Sequence, residues 1–428
     1  MINQQTSKHI AIAVNLAKLM VLAALAPPVV AGIAQRASEL GQGFDVPTLV
    51  AQTVSLGSVA GVVGALGFGA LADWNHPTLK SRWIWIATTT ILGTSGLVIL
   101  ALGESRLMLI GGWMCAQLGY SGAIAVLRAV LALSTTTHRQ RGAVVTVLGG
   151  YAGAFIPLVI LFIFPMAIWH TTFGLALLSL AVPVVFLLIT PSHIMRTPTN
   201  STPDPAQSDD APPPSSAIPT ISRGWILAIQ WAASVVIAIF LSYHALELAE
   251  RASDDAAFPV RTTMLVVAAA LLGLIAASIF LLRKPHLLSY SLQVIALAGF
   301  MLAASLVFRA FTDHLAVIVG AAILSGAAVG LNTSALFASA LENARQRAGG
   351  RLMGAYSAAA ALGQLLGPMI ALGILRLTAD LTWIPSDEAG YRTLFLVVAI
   401  VPAGWATVAS ARARVLKPTN TLGKFPLA

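Results

Sequence analysis

Charge is what this sequence has least of. Only 10% of its 428 residues are Asp, Glu, Lys or Arg, against roughly 25% in an ordinary soluble domain. Acids are the scarcer sign, 16 against 25 Lys and Arg, and none of them falls deep inside an apolar segment. One cysteine, Cys115, excludes a disulfide framework or a cysteine-based metal site within the chain. There is no His-Glu-x-x-His, no P-loop, no Gly-x-Ser-x-Gly, and no acidic cluster between apolar segments that would hold a metal. The short connections leave no room for a catalytic domain, so an embedded enzyme lacks its machinery and no cofactor or metal is expected. Rings of charge and filter-like loops, which an ion channel would need, are missing too.

What remains is apolar. The hydrophobic fraction is 57% and the mean hydropathy +0.84. A membrane-crossing helix needs about 20 mostly apolar residues. Twelve segments meet that test: 10–33, 46–72, 83–102, 107–133, 142–164, 170–189, 225–246, 262–282, 287–308, 315–341, 352–375 and 393–411. The fold class expected is therefore all-α and membrane-embedded. Lys8 ahead of an apolar run and the Ala24-Leu25-Ala26 triplet imitate a signal peptide, but Pro27 follows and the run continues, which predicts an uncleaved first span. The net charge of +9 does not point to nucleic acid, because the basic residues are scattered between segments rather than gathered on one module. They are scattered unevenly: 16 Lys and Arg lie on the side holding both termini, 7 on the other, and Lys18 and Arg128 within segments. That bias predicts a multi-pass protein with both termini cytoplasmic.

Residues 191–223 hold eight prolines and a run of Ser, Thr, Asp and Asn. Such a stretch cannot bury enough apolar surface to offset its ordering entropy, and reads as a disordered tether. It splits the chain six segments to six. The expected domains are 1–189 and 224–411, with a cytoplasmic tether over 190–223 and a cytoplasmic tail over 412–428. A faint repeat agrees. Arg139-Gln140-Arg141 and Arg345-Gln346-Arg347 are offset by 206 residues, and Pro157 and Pro368 by 211, each proline following a glycine-bearing stretch. Parallel repeats of this kind are a known transporter plan.

The second segment ends in Gly69-Ala70-Leu71-Ala72-Asp73, and Lys80 and Arg82 follow within a tight turn. Small residues at Gly67, Gly69, Ala70 and Ala72 predict close packing of this helix end on a neighbour. Six plus six spans with a Gly-x-Leu-x-Asp and basic turn between the second and third resemble the major facilitator superfamily. The wording of that turn, with Trp85-Ile86, Asn15-Leu16, Pro27, Gln117 and Arg141-Gly142, is most similar to the sugar–cation symporter branch and its actinobacterial members. The chain departs from that pattern at Trp74, Lys80-Ser81-Arg82 and Ser121, and Arg283-Lys284-Pro285 has no aspartate before it. The resemblance implies two six-helix bundles around a central cavity lined by spans one, four, seven and ten. It also implies a gate at Gly69, Asp73 and Arg82, and a bacterial inner (plasma) membrane location.

An aspartate at a helix C-terminus opposes the macrodipole and needs a compensating cation. Arg128, near the same membrane depth, is the expected partner of Asp73, with the start of span eleven near Arg351–Gly354 facing both. Lys18 lies eight residues into span one, about 12 Å along the helix and short of the midplane of a core about 30 Å thick. Lysine near a bilayer centre costs about 2.5–3.5 kcal/mol on insertion scales, so it is a candidate for attracting a carboxylate, phosphate or hydroxyl cluster; snorkelling to the surface is the alternative. His244, beside Tyr243, Glu247 and Glu250, is the titratable group best placed for proton coupling. Asn15, Trp113, Gln117, Tyr120, Ser121, Gln230, Trp231 and Asn332 complete the substrate-binding set, joined by Ser234, Thr333 and Ser334. Gln117, Tyr120, Ser121 and Ile124 have the i, i+3, i+4, i+7 spacing of one helical face. Gly363-x-x-x-Gly367-Pro368 is read as helix packing plus a bend. The function expected is a monomeric secondary transporter moving a small organic solute, neutral or anionic and sugar-like in one reading, with a coupling ion. The alternatives are an efflux carrier for drugs or metabolites, a non-transporting scaffold, and an embedded enzyme.

Overall fold

The structure, a computed structural model, describes residues 4–40, 46–74, 79–134, 139–164, 167–189, 221–250, 258–312, 314–345, 349–379 and 389–415. Within these there are twelve helical segments long and apolar enough to cross a membrane. They run Ile10–Glu39, Val46–Ala72, Leu79–Leu102, Arg106–Leu131, Arg141–Ile163, Ile168–Val185, Arg223–His244, Arg261–Arg283, Pro285–Ala310, Leu315–Asn343, Arg351–Thr378 and Gly390–Val415, and are called spans one to twelve. Large apolar side chains face outward all round: Leu188 is 80% exposed, Ile400 68% and Phe308 57%. Such a surface is stable only against lipid, so this is a multi-pass membrane protein with an all-α fold.

Two span boundaries differ from expectation for identifiable reasons. Span one continues past residue 33 to Glu39 through a π-helical turn at Pro28–Gly32. Pro27 and Pro28 cannot donate to the preceding turn, and the ladder resumes in a wider i→i−5 step, with the Ile33 amide donating to the Pro28 carbonyl. Span three begins at Leu79, so Lys80 and Arg82 lie in its first turn.

The helices form two six-helix bundles. Within the first, span one packs on five, two on four, and three on six; within the second, seven packs on eleven, eight on ten, and nine on twelve. The same pairings recur at an offset of six spans. Across the junction, two meets eleven and five meets eight, again an equivalent pair. Glycines set the closest approaches in matching places. A Cβ on Gly153 of span five would lie 2.2 Å from the Leu19 carbonyl oxygen, and one on Gly363 of span eleven 2.5 Å from that of Trp231. Gly64 sits as tightly on Leu118, and Gly326 on Ala270. Without a hydrophobic drive between helices in lipid, such backbone-on-backbone contact supplies the dispersion energy that holds them.

Of the four small residues expected to pack at the end of span two, Gly69 and Ala72 are buried, but Gly67 and Ala70 are not. A Cβ on Gly67 would meet nothing within 4 Å, and Ala70 is exposed; Gly57, Gly61 and Gly64, one to three turns earlier, carry the seam to span four. Gly363 and Gly367 do pack span eleven on seven, and the Tyr243 hydroxyl donates to the Pro368 carbonyl at 2.9 Å. The tether at 190–220, the tail beyond residue 415, and Gln346-Arg347 of the repeat lie outside the described residues.

Candidate functional site

Between the two bundles lies a cavity of about 360 Å³, lined by spans one, four and five of the first half and seven to eleven of the second. Its walls differ along its length. Toward the face where span one begins, it is bounded by Lys18, Arg128, Tyr151, Thr333, Phe337, Tyr356 and Ser357. A middle belt holds Gln117, Ser121, Gln230, Ser234 and Gln364. The far half is aliphatic and aromatic: Leu25, Val29, Val30, Leu158, Phe240 and Leu271 among others. The π turn of span one supplies two of those walls.

At the polar end both halves contribute. The Arg128 guanidinium donates through Nη1 to the Ser357 hydroxyl at 2.6 Å, and lies 5.4 Å from the Tyr356 ring centroid and 5.9 Å from that of Phe337. Tyr151 of span five and Thr333 of span ten line the same end, one from each half. The two cross-junction pairs are counterparts under the repeat. The 206-residue offset carries Tyr151 onto Ser357, and Arg128 to within one residue of Thr333. Lys18, buried at 6% exposure, donates to the Thr146 carbonyl at 2.8 Å and lies 6.0 Å from the Phe337 centroid. Snorkelling is not its conformation: the amine is tied to span five. Arg128 Nε and the Tyr356 hydroxyl are buried with no hydrogen-bond partner among the described residues.

Of the residues singled out from sequence, Lys18, Gln117, Ser121, Arg128, Gln230, Ser234 and Thr333 come together on this cavity. Asn15, Trp113, Tyr120, Trp231 and Asn332 lie outside its lining. Asn15 sits beside Gly149 of span five. The Trp113 ring fills the space over Gly57, and Trp231 is 38% exposed on the outer surface. The Tyr120 hydroxyl points into the first bundle, 2.7 Å from Ser179 Oγ and 3.1 Å from Thr94 Oγ1. At about 100° per residue, Tyr120 lies about 60° round from Gln117 on one side and Ser121 about 40° on the other. The wet face is therefore narrower than the spacing rule suggests. Asn332 is buried at 3% exposure, its Oδ1 without a partner. Sequence reading passed over Tyr151, Phe337, Tyr356, Ser357 and Gln364. Tyr356, Ser357 and Gln364 recur at i, i+1 and i+8, a helical face that periodicity alone could have revealed on span eleven.

His244 lies off the cavity in a second polar cluster. It is 1% exposed, stacks on Phe240 with centroids 5.0 Å apart, and places Nδ1 3.5 Å from Glu247. Glu247 is also bound by Arg309, whose guanidinium lies 5.2 Å from the Phe395 centroid. Glu247 is thus buried and paired with Arg309. The Glu250 side chain lies outside the described residues.

The family model of the Major Facilitator Superfamily matches residues 9–368. The chain belongs to that superfamily. It is a membrane transporter of a small-molecule substrate, not an enzyme. Its fold is similar to the crystal structure of the human organic anion transporter MFSD10 (TETRAN), with a TM-score of 0.65 at 13% identity, covering 94% of this chain and 99% of that one. It is similar also to the nucleoside transporter NupG, with a TM-score of 0.58 at 14% identity over 95% and 98% of the two chains. A point mutant of NupG gives 0.63 at 12% identity, over 94% and 99%. No curated protein matches the sequence.

In this superfamily member the turn after span two is closed differently from the expected Asp73–Arg128 pair. Arg82 binds Asp73 at 3.0 Å, and donates to the Ala72 carbonyl at 3.3 Å and the Ala129 carbonyl at 3.2 Å. One guanidinium thus neutralises the aspartate and the negative C-terminal ends of spans two and four. Arg128 cannot serve, because its place on span four turns it into the cavity toward Ser357. Asp73 Oδ2 has no partner among the described residues. Span eleven does face span two nearby: a Cβ on Gly354 would lie 3.4 Å from the Ala65 carbonyl oxygen.

Proposed function

We propose that the protein is a secondary transporter that carries a small organic solute by alternating access, its two bundles rocking about the cavity at their junction. The observation that carries this reading is the cavity itself, which draws its walls from both halves and is crossed at one end by the Arg128–Ser357 hydrogen bond. In this reading Gly69, Asp73, Arg82 and Arg128 belong to the gate, and the His244–Glu247–Arg309 cluster behind Phe240 is the candidate for proton coupling. The 16-to-7 bias of basic residues supports cytoplasmic termini and a plasma-membrane location, the inner membrane of a bacterium. The carrier works as a monomer. Kinship with the sugar–cation symporter branch rests on the Gly69–Asp73 turn and Asn15-Leu16. The aliphatic far half of the cavity favours an amphipathic cargo over a polyhydroxylated one, and so supports export of a metabolite or drug as the second reading. The neighbours described as transporters of organic anions and of nucleosides are compatible with such a cargo.

The test is counterflow in proteoliposomes holding the purified protein and an excess of unlabelled solute, the solute chosen for raising the thermal midpoint. Transient uphill accumulation of label is the expected result. Simple equilibration, or no flux of any stabilising solute, would refute a carrier.

A further inference from the structure

We propose that the polar end of the cavity is an anion-head site and that its occupant is an amphipathic organic anion, an aliphatic or aromatic carboxylate in the simplest case. The proposal rests on the reading of this cavity as the cargo site and names the chemistry of that cargo. Two cationic side chains, Lys18 and Arg128, line one end of the cavity, and no Asp or Glu lines it among the described residues. Their partners are neutral: a backbone carbonyl for Lys18 and a hydroxyl for Arg128. Both approach the same ring, Phe337, at 6.0 and 5.9 Å from its centroid.

Charges held in the low dielectric of a bundle are costly unless an opposite charge joins them. Every other buried cation described in detail has one: Arg82 has Asp73 and Arg309 has Glu247. The pair at the cavity has none among the described residues, so the compensating charge comes from the occupant.

The geometry of the free donors fits a carboxylate. Arg128 spends Nη1 on Ser357, which leaves the Nε–Nη2 edge, and Nε has no partner. That edge matches the two oxygens of a carboxylate, in the fork arrangement arginine favours. Tyr356, a buried residue whose hydroxyl has no partner among the described residues, lies on the same wall and supplies a further donor. Lys18 keeps two N–H groups beyond the one it gives to Thr146. From this end the cavity passes a belt of amides and hydroxyls and opens into the aliphatic half, which takes the body of the molecule. A sugar would leave most of its hydroxyls facing that aliphatic wall.

The experiment uses the full chain purified in a neutral detergent. 4-Phenylbutyrate and octanoate are titrated beside their uncharged amides, beside octylamine, and beside inorganic phosphate. The expected result is binding of the two carboxylates at least about tenfold tighter than the amides, the value of a charge-assisted hydrogen bond, with weaker binding of the amine and of phosphate. Arg128→Gln and Lys18→Gln should each abolish the preference for acid over amide, and Arg128→Lys should retain part of it. Equal binding of acid and amide by the native protein would overturn the proposal. So would a preference that survives both glutamine variants, or phosphate binding as tightly as the carboxylates. Should Arg128→Gln fail to fold, the native selectivity and Lys18→Gln decide the matter. Counterflow of a neutral solute without acid preference would sink the head site and spare the carrier. Acid preference without counterflow of any solute would do the reverse.

Discussion

Two glycines three residues apart on span five separate the seat of the lysine from the seam of the bundle. A Cβ on Gly150 would lie 2.8 Å from Lys18 Cε, 2.9 Å from Leu22 Cδ1 and 3.1 Å from Lys18 Nζ, all ends of flexible side chains. A Cβ on Gly153 would lie 2.2 Å from the Leu19 carbonyl oxygen and 2.8 Å from its Cα, both backbone. Ordinary contact begins at 3.4 Å, so Gly153→Ala must drive span one about 1 Å away from span five. Overpacking of that kind costs about 1–3 kcal/mol, and the thermal midpoint of the purified protein should fall by a few degrees. Gly150→Ala needs only new rotamers of Lys18 and Leu22, and alanine recovers about 0.5–1 kcal/mol of helix propensity, so its midpoint should stay close to native. What it removes is the 2.8 Å bond to the Thr146 carbonyl and with it the placement of the amine. Affinity for 4-phenylbutyrate should therefore weaken by about three- to tenfold, within the value of one hydrogen bond to a charged group. Differential scanning fluorimetry and ligand titration on both variants give the answer. A Gly150→Ala protein as destabilised as Gly153→Ala, with its carboxylate affinity intact, would refute the seat assigned to Lys18.

Three further outcomes are expected. Arg82→Gln, which strips a partner from Asp73 and from two helix ends, should cost about 2–4 kcal/mol and lower the thermal midpoint more than Asp73→Asn; equal effects would mean that Arg82 acts through Asp73 alone. Glu247→Ala should cost about 3–5 kcal/mol, because it strips the carboxylate from the buried Arg309; an unchanged midpoint on heating would show that the pair is dispensable. In a Cys115→Ala background, Thr48→Cys with Arg376→Cys places thiols on facing ends of spans two and eleven, separated by about the reach of the arginine that now meets Thr48 at 3.2 Å. A bis-methanethiosulfonate cross-linker of that length should stop counterflow and reduction restore it; undiminished counterflow in the cross-linked protein would argue against rocking.

The twelve spans were legible because hydropathy is a property of whole segments, and a few polar residues do not hide it. What escaped was direction. An aspartate at the end of a helix announces its need for a cation but not the supplier, since Arg82 lies outside the apolar run 83–102. Only the structure shows that run starting at Leu79. Tyr120 keeps the same helical spacing as Gln117 and Ser121, and its turn away toward Ser179 depends on which neighbour packs beside span four. Gly67 and Gly64 look alike in sequence, yet one faces open space and the other a carbonyl oxygen. Tyr356 and Ser357 were missed because span eleven was not counted among the cavity walls, although their offset from the first half already placed Ser357 opposite Tyr151.

The polar end of the cavity is divided by chemistry as well as by topology. Both cations belong to the first bundle, and the Ser357 and Tyr356 hydroxyls and the Phe337 ring belong to the second. These side chains act together as a gauge of the gap between the bundles. A molecule that satisfies only the cations leaves the halves free to part, whereas one that spans the gap draws them together, so the length of the cargo, as much as its charge, is felt by the moving parts.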